Sequence, residues 1–353
     1  MDPVPDPSDD VSLIPDFSQS KQQIHWHDWT WQLSNSFAPP GPEVPFPARC
    51  TPYYWDLLEQ LGPDHPLHRT VVPDVAELIV APCEQQDPLG EEHDSPVPGL
   101  VHRYPDRVLL LVTNQCAAYC RYCTRSRQVG RSNGGYNYEA IQYIRQHPEI
   151  RDVVISGGDP LTLPTGQIET ILAKLSAIPH VEMVRIGTKV PLVLPQRIDP
   201  DLCEVLRRFH PWISIHCTHP DEITPEAEAA LNRLASCGCP LGAQTVLLKG
   251  INDDPEVIRS LMVKLLKNRV RPYYLYQCDP VPGTSHFRTD PQVGVGILRH
   301  LQGKISGYGI PRFVIDLPGG GGKIPLNPDY VVDRDPDGID LENWQGGRFR
   351  YPG

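Results

Sequence analysis

Three cysteines fall in one eight-residue window, Cys116-x-x-x-Cys120-x-x-Cys123, with Arg121, Tyr122, Thr124 and Arg125 among and after them. Soft thiolates on one short loop suit an iron-sulfur cluster or zinc. Structural zinc takes four ligands, and no fourth Cys or His lies in phase nearby. The triplet therefore reads as the holder of a 4Fe-4S cluster with one iron left open. A zinc loop completed by Cys278 or a distant His is the competing reading. Downstream, Ser156-Gly157-Gly158-Asp159-Pro160-Leu161 offers two glycines that allow close backbone approach to a ligand, and a carboxylate that can accept from an ammonium. Taken alone, it is equally an ordinary strand-to-helix turn.

A second group of residues is Asp316-Leu317-Pro318-Gly319-Gly320-Gly321-Gly322-Lys323. Ordering four successive glycines costs conformational entropy, so a loop that passes close to a ligand explains them better than packing does. Lys323 at its end is free to form a Schiff base with an aldehyde cofactor, for which pyridoxal phosphate is the usual candidate. A phosphate loop does not fit, because Ile324 stands where that pattern needs Ser or Thr. Anion donors for a cofactor phosphate lie in His102-Arg103-Tyr104-Pro105-Asp106-Arg107, which otherwise reads as a solvated turn.

The elements that must position these groups follow from hydrophobic periodicity. Apolar runs at Val108 to Thr113, Val153 to Ser156, Met183 to Gly187, Ile213 to His216, Thr245 to Leu248, Tyr273 to Tyr276 and Phe313 to Asp316 alternate with helical patterns. The helical patterns lie near 138 to 147, 166 to 177, 200 to 209, 224 to 237, 255 to 268 and 290 to 304. Such alternation predicts an α/β fold, a parallel sheet closed into a partial (β/α) barrel. Chemistry then gathers at the C-terminal ends of the strands. Cys116, Gly157 to Asp159, His216, Asp279 and Asp316 all fall there. Residues 1 to 22 lack periodicity and read as a mobile tail, 23 to 101 as a mostly helical extension, 102 to 330 as the barrel domain, and 331 to 353 as a C-terminal tail.

Composition narrows the partners. The 353 residues carry a net charge of -11, which gives no basic field for nucleic acid or an anionic membrane. No stretch reaches the ~18 apolar residues of a membrane span, and the acidic, Pro-rich start has no signal core, so a cytoplasmic protein is expected. Ten cysteines with three in one loop point to metal or redox use rather than a disulfide framework.

With both motifs in one chain, the sequence resembles the radical S-adenosylmethionine superfamily and, within it, the lysine 2,3-aminomutase family. The likeness runs from Trp26-His27-Asp28-Trp29 through the segment 102 to 107, the cysteine loop, Gln196-Arg197-Ile198, Gln244-Thr245-Val246-Leu247-Leu248, Arg271-Pro272-Tyr273-Tyr274 and His286-Phe287-Arg288-Thr289 to Gly319 to Pro328. It implies Cys116, Cys120 and Cys123 as cluster ligands, and Lys323 as the pyridoxal phosphate lysine, with Arg103, Tyr104 and Arg107 on the phosphate. It further implies that Gly157, Gly158, Asp159, His216 and Gln244 line the S-adenosylmethionine pocket, that Arg125 takes a substrate carboxylate, and that Asp279 and Asp316 take a remote ammonium. L-lysine is then the expected substrate and a flavodoxin or ferredoxin the electron donor. Arginine also carries a cation and stays open, as do the related enzyme that isomerises lysine for an elongation factor and a non-catalytic iron-sulfur protein. A glutamate enzyme should replace the two acids, which this chain does not do. The family's structural zinc is expected to be absent, because no cysteine follows Cys278 and Asp254 stands where a zinc cysteine belongs. Homo-oligomeric assembly is accordingly in doubt.

Overall fold

The computed structural model describes residues 24–131 and 138–353; the segment read as a mobile tail lies outside them. Helices α1 (Trp29–Ser34) and α2 (Pro52–Leu61) belong to the extension, and α3 (Tyr138–Gln146), α4 (Thr165–Ser176), α5 (Val190–Val193), α6 (Pro200–Phe209), α7 (Pro225–Ser236), α8 (Pro255–Lys267) and α9 (Pro291–Leu301) follow. Much of the proline content is explained by how these helices begin. In α2, α6, α7, α8 and α9 a capping Thr or Asp accepts a backbone N–H, and proline occupies the next position, where a missing N–H costs nothing. Asp254, the residue in the expected zinc-cysteine position, is the cap of α8 and accepts from Glu256 N at 2.7 Å.

Nine strands form one sheet in chain order: β1 (Leu100–Tyr104), β2 (Arg107–Thr113), β3 (Asp152–Gly157), β4 (Met183–Thr188), β5 (Trp212–His216), β6 (Leu241–Leu247), β7 (Arg271–Gln277), β8 (Arg312–Leu317) and β9 (Gly322–Pro325). The pairs from β2 to β8 are parallel, while β1 and β9 add antiparallel edges. The first and last strands do not pair, so the barrel is partial. Burial alternates along strands such as β3 and β6, as expected for a sheet with helices on one face and a lumen on the other. Leu241, Ala243, Thr245 and Leu247 are buried together, while Gln244 and Val246 point to the opposite, partly open side. One continuous core joins the strands to the helices and to Tyr53, Tyr54, Trp55 and Leu58 of α2.

Two expectations change. The extension contains only short helices and 3-10 turns between loops, because prolines interrupt every longer run. The segment 331 to 353 is a three-stranded antiparallel sheet, β10 (Val331–Asp335), β11 (Gly338–Glu342) and β12 (Arg348–Pro352), rather than a tail. Its strands are polar and largely exposed, so no buried apolar face marks them in the sequence.

Candidate active site

The cysteine loop leaves the end of β2 and is held by the extension. Arg121, fully buried, donates from Nε and Nη2 to Glu77 at 2.9 and 2.5 Å, and from Nη1 to Pro47 O at 2.8 Å. Tyr119 N donates to Arg49 O at 2.9 Å and Arg121 N to Thr70 O at 2.9 Å. The three thiols are free and partly buried. Burial first, then Asp159, then the other two thiols hold Cys116 well above the ordinary thiol range. Burial and Cys120 push Cys123 up to about 11. Thiolate sulfurs on one zinc ion, at about 2.3 Å each, would stand about 3.8 Å apart. These three sulfurs do not lie within 4.8 Å of one another as a set, nor does any described set of three ligands that includes Cys278.

The glycine turn after β3 is built against this loop. Gly157 has φ +121°, and a Cβ there would clash with the Thr113 carbonyl; a Cβ on Gly158 would clash with the Gln115 carbonyl. Gly158 N donates to Thr113 O at 2.5 Å and Asp159 N to Gln115 O at 2.7 Å. The close approach that requires these glycines is therefore made to the cysteine loop itself. The Asp159 carboxylate, expected to meet an ammonium, is instead saturated by Thr188 Oγ1 at 2.8 Å, Lys189 N at 2.7 Å, Val190 N at 3.2 Å and Leu161 N at 3.1 Å. It ties the turn to the end of β4.

Strand register places the lumen residues in layers. His216 is aligned with Gln244, Gln244 with Tyr274, and Val246 with Tyr276, so the first three share one level and the last two the next. Gln244 Nε2 donates to His216 Nε2, and Tyr273 Oη donates to Gln244 Oε1 at 3.2 Å. Burial, with the cations of Lys189 and Arg125 behind it, lowers His216 to about 3, so the imidazole is neutral and accepts.

At the far edge, Asp316 and Lys323 are cross-strand partners on β8 and β9, with Nζ 2.9 Å from Asp316 Oδ1 and 5.6 Å above the centre of the Tyr276 ring. Gly319, Gly320 and Gly322 take left-handed φ of 68°, 88° and 80°, so the glycine run is needed by the reversal from β8 to β9 as well as by close approach. Tyr104 and Arg103 lie against it, and Arg107 reaches only the Tyr104 ring. Tyr104 Oη accepts from Lys323 N at 3.1 Å, and the Arg103 guanidinium would lie 3.5 Å from a Cβ on Gly320. Arg107 lies over the Tyr104 ring at 5.1 Å. Arg103 is also paired with Asp94 at 2.7 Å and Arg107 with Asp106 at 2.9 Å.

Asp279, just past β7, accepts from Thr124 Oγ1 of the cysteine loop at 2.9 Å. Burial and the neighbouring Asp316 push it up to about 6, against the lowering by Thr124 and Lys323. Arg125 is not idle: its Nε and Nη2 grip Glu91 at 3.0 and 2.6 Å, and Arg127 Nη2 reaches the same carboxylate at 3.3 Å. The Arg125 Nη1 edge makes no hydrogen bond among the described residues.

Sequence reasoning missed Glu91, Lys189 and Glu222. Glu91 sits in an acidic, Pro-rich stretch that reads as solvated, and nothing local flags it. Lys189 and Glu222 form a buried ion pair, and Glu222 also accepts from Tyr54 Oη at 2.7 Å and Thr218 N at 2.6 Å. In the structure His219 and Glu222 form a capping box, but with His rather than Ser or Thr at the cap the sequence does not announce it.

A cysteine loop at the end of the first barrel strand, a glycine turn beside it and a neutral lumen histidine define a radical S-adenosylmethionine protein, and residues 110–261 match the model of that superfamily. Residues 298–353 match the model for lysine-2,3-aminomutase. The chain is 45% identical over 344 residues to L-lysine 2,3-aminomutase of Fusobacterium nucleatum, spanning 91% of this chain and 81% of that one. It is 47% identical to L-lysine 2,3-aminomutase of Clostridium subterminale, over 91% of this chain and 83% of that one. It is also 41% identical to glutamate 2,3-aminomutase of Clostridioides difficile, over 91% and 81% of the two chains. The chain belongs to the lysine 2,3-aminomutase family.

Proposed function

We propose that this chain is an isomerase that moves the amino group of L-lysine from Cα to Cβ, giving β-lysine. Since the family includes a glutamate enzyme, the substrate must be read from the site. The observation that carries the reading is a pair of carboxylates at the ends of β7 and β8, Asp279 and Asp316, close enough that one raises the other, with Lys323 bound to Asp316. Burial first and then Asp316 raise Asp279 despite the nearby Lys323 ammonium, so a second cation at these two acids is favoured and a carboxylate disfavoured.

Cys116, Cys120 and Cys123 would hold the 4Fe-4S cluster, which together with S-adenosylmethionine supplies a carbon radical able to take hydrogen from an unactivated carbon. Lys323 would hold pyridoxal phosphate, with Arg103, Tyr104 and Arg107 at its phosphate, and the cofactor supplies a conjugated π system next to the migrating nitrogen. The protein's own residues position and shield. Arg125, oriented by Glu91, presents its remaining N–H edge to the substrate carboxylate. His216 stays neutral and orders Gln244 at the lumen wall. Gly157 and Gly158 let the cysteine loop seat on the sheet, and Asp159 locks that turn.

Residues 23 to 101 act as an extension bracing the cysteine loop, 102 to 330 as the barrel, and 331 to 353 as an appended sheet. Among the described residues no helix is long and apolar enough to cross a membrane. A cytoplasmic setting, a flavodoxin or ferredoxin as electron donor and self-association complete the proposal. Anaerobic reconstitution followed by product analysis with lysine, arginine and glutamate tests it. A higher kcat/KM for arginine or glutamate would refute the substrate assignment.

A further inference from the structure

In the turn that follows β5, two histidines and an aspartate from distant parts of the chain meet. His65 caps the 3-10 turn Pro66–Thr70 of the extension, while His219 and Asp221 belong to the 3-10 turn Pro220–Glu222 that follows β5. Their ligand atoms all lie within 4.8 Å of one another. His65 Nε2 is 3.3 Å and His219 Nδ1 3.4 Å from the same oxygen, Asp221 Oδ2, and the two rings stand perpendicular with centres 5.0 Å apart.

Those distances are long for charge-assisted hydrogen bonds, which run about 2.7–2.9 Å. They match the edge of a metal tetrahedron: ligands at about 2.0–2.1 Å from one ion stand about 3.3–3.4 Å apart. We propose that His65, His219 and Asp221 form a binding site for a late first-row divalent cation, zinc above all, which clips the N-terminal extension to the barrel. Two imidazoles and one carboxylate are donors that such ions accept, and with water in the fourth position the site is of the open, three-protein-ligand type rather than the closed four-ligand structural type, so its ion is exchangeable. His219 is 7% exposed, His65 18% and Asp221 39%, so the group is anchored at its base and open on the aspartate side.

Three neighbours compete with the ion. Leu67 N and Asp221 N each approach a histidine Nδ1 at 3.3 Å, and both long contacts would be given up on coordination. Lys264 Nζ lies 3.5 Å from Asp221 Oδ1 and donates to Pro220 O at 2.9 Å. It faces the other carboxylate oxygen, so it lowers affinity without filling the site. The clip would close a long loop, since His65 and Asp221 are separated by 156 positions. It ends one residue before Glu222, the buried partner of Lys189.

The test uses the full chain with its iron-sulfur cluster loaded, so that the three cysteines cannot take the added metal. The protein is exposed to zinc chloride and desalted, and its zinc and iron are counted. One zinc per chain beyond the cluster iron is expected, together with a higher Tm in zinc than without it. Asp221→Asn and His65→Gln should each lose the retained zinc and the Tm shift while keeping the iron. Lys264→Met, which removes the competing cation, should bind zinc at least several-fold more tightly. Absence of retained zinc in the unaltered chain, or retention equal in Asp221→Asn, would overturn the proposal. An unchanged or weaker affinity in Lys264→Met would do the same.

Discussion

Replacing Asp279 by Asn should make the cofactor-free protein more stable and the enzyme much worse. Asp279 is displaced from an ordinary 3.8 to about 6, chiefly by burial and then by Asp316. That displacement corresponds to about 3 kcal/mol of unfavourable free energy in the ionised form. A carboxyl group raised on folding binds its proton more tightly in the folded chain. Its contribution to stability is therefore present at low pH and is lost as pH rises from 3.8 through about 6. At pH 7 the ionised Asp279 costs the empty protein up to about 3 kcal/mol, which Asn would relieve. The same stress is what a substrate ammonium relieves, so its loss should lower kcat/KM for lysine by about two orders of magnitude. In the unaltered enzyme the KM for lysine should fall as pH rises through the Asp279 titration, because only the ionised acid attracts the cation, and the loss of the Lys323 ammonium to the cofactor moves that titration upward from its position in the empty chain. Asp279→Asn should abolish that inflection. The assays are thermal or urea unfolding of the cofactor-free chain between pH 5 and 8, and steady-state kinetics of the loaded enzyme with iron and pyridoxal phosphate contents checked. If Asp279→Asn is less stable at pH 7 and its lysine kinetics are unchanged, the electrostatic reasoning is wrong.

Cys120→Ala should leave less than one iron per chain after anaerobic reconstitution and no spectral response to S-adenosylmethionine; one zinc and no iron at the triplet in the unaltered protein would refute the cluster assignment. Borohydride reduction in the presence of pyridoxal phosphate should fix the label on Lys323, which peptide mapping reads directly, and a label on another lysine would sink the assignment. Glu222→Gln leaves the buried Lys189 ammonium without its counter-charge and should destabilise the fold by about 3–5 kcal/mol, seen as a lower denaturation midpoint. A shift under about 1 kcal/mol would mean that Tyr54 and Thr218, rather than the ion pair, carry this contact.

The features legible in the sequence are those that contiguous residues encode. The cysteine loop announces itself because its three ligands lie within eight positions, and the glycine run and Lys323 because a left-handed reversal needs successive glycines. Strands β2 to β8 and their helices follow from periodicity, since each buries one face. The tertiary structure decided which groups meet. Asp279 and Asp316 come near one another because β7 and β8 are neighbouring parallel strands that end at similar levels. Arg125 is oriented by Glu91 from an acidic stretch that looks solvated, and Asp159 is consumed by the end of β4. His65 reaches Asp221 across 156 positions. Such encounters depend on sheet register and loop path, which the whole core fixes, whereas a motif needs only its neighbours along the chain.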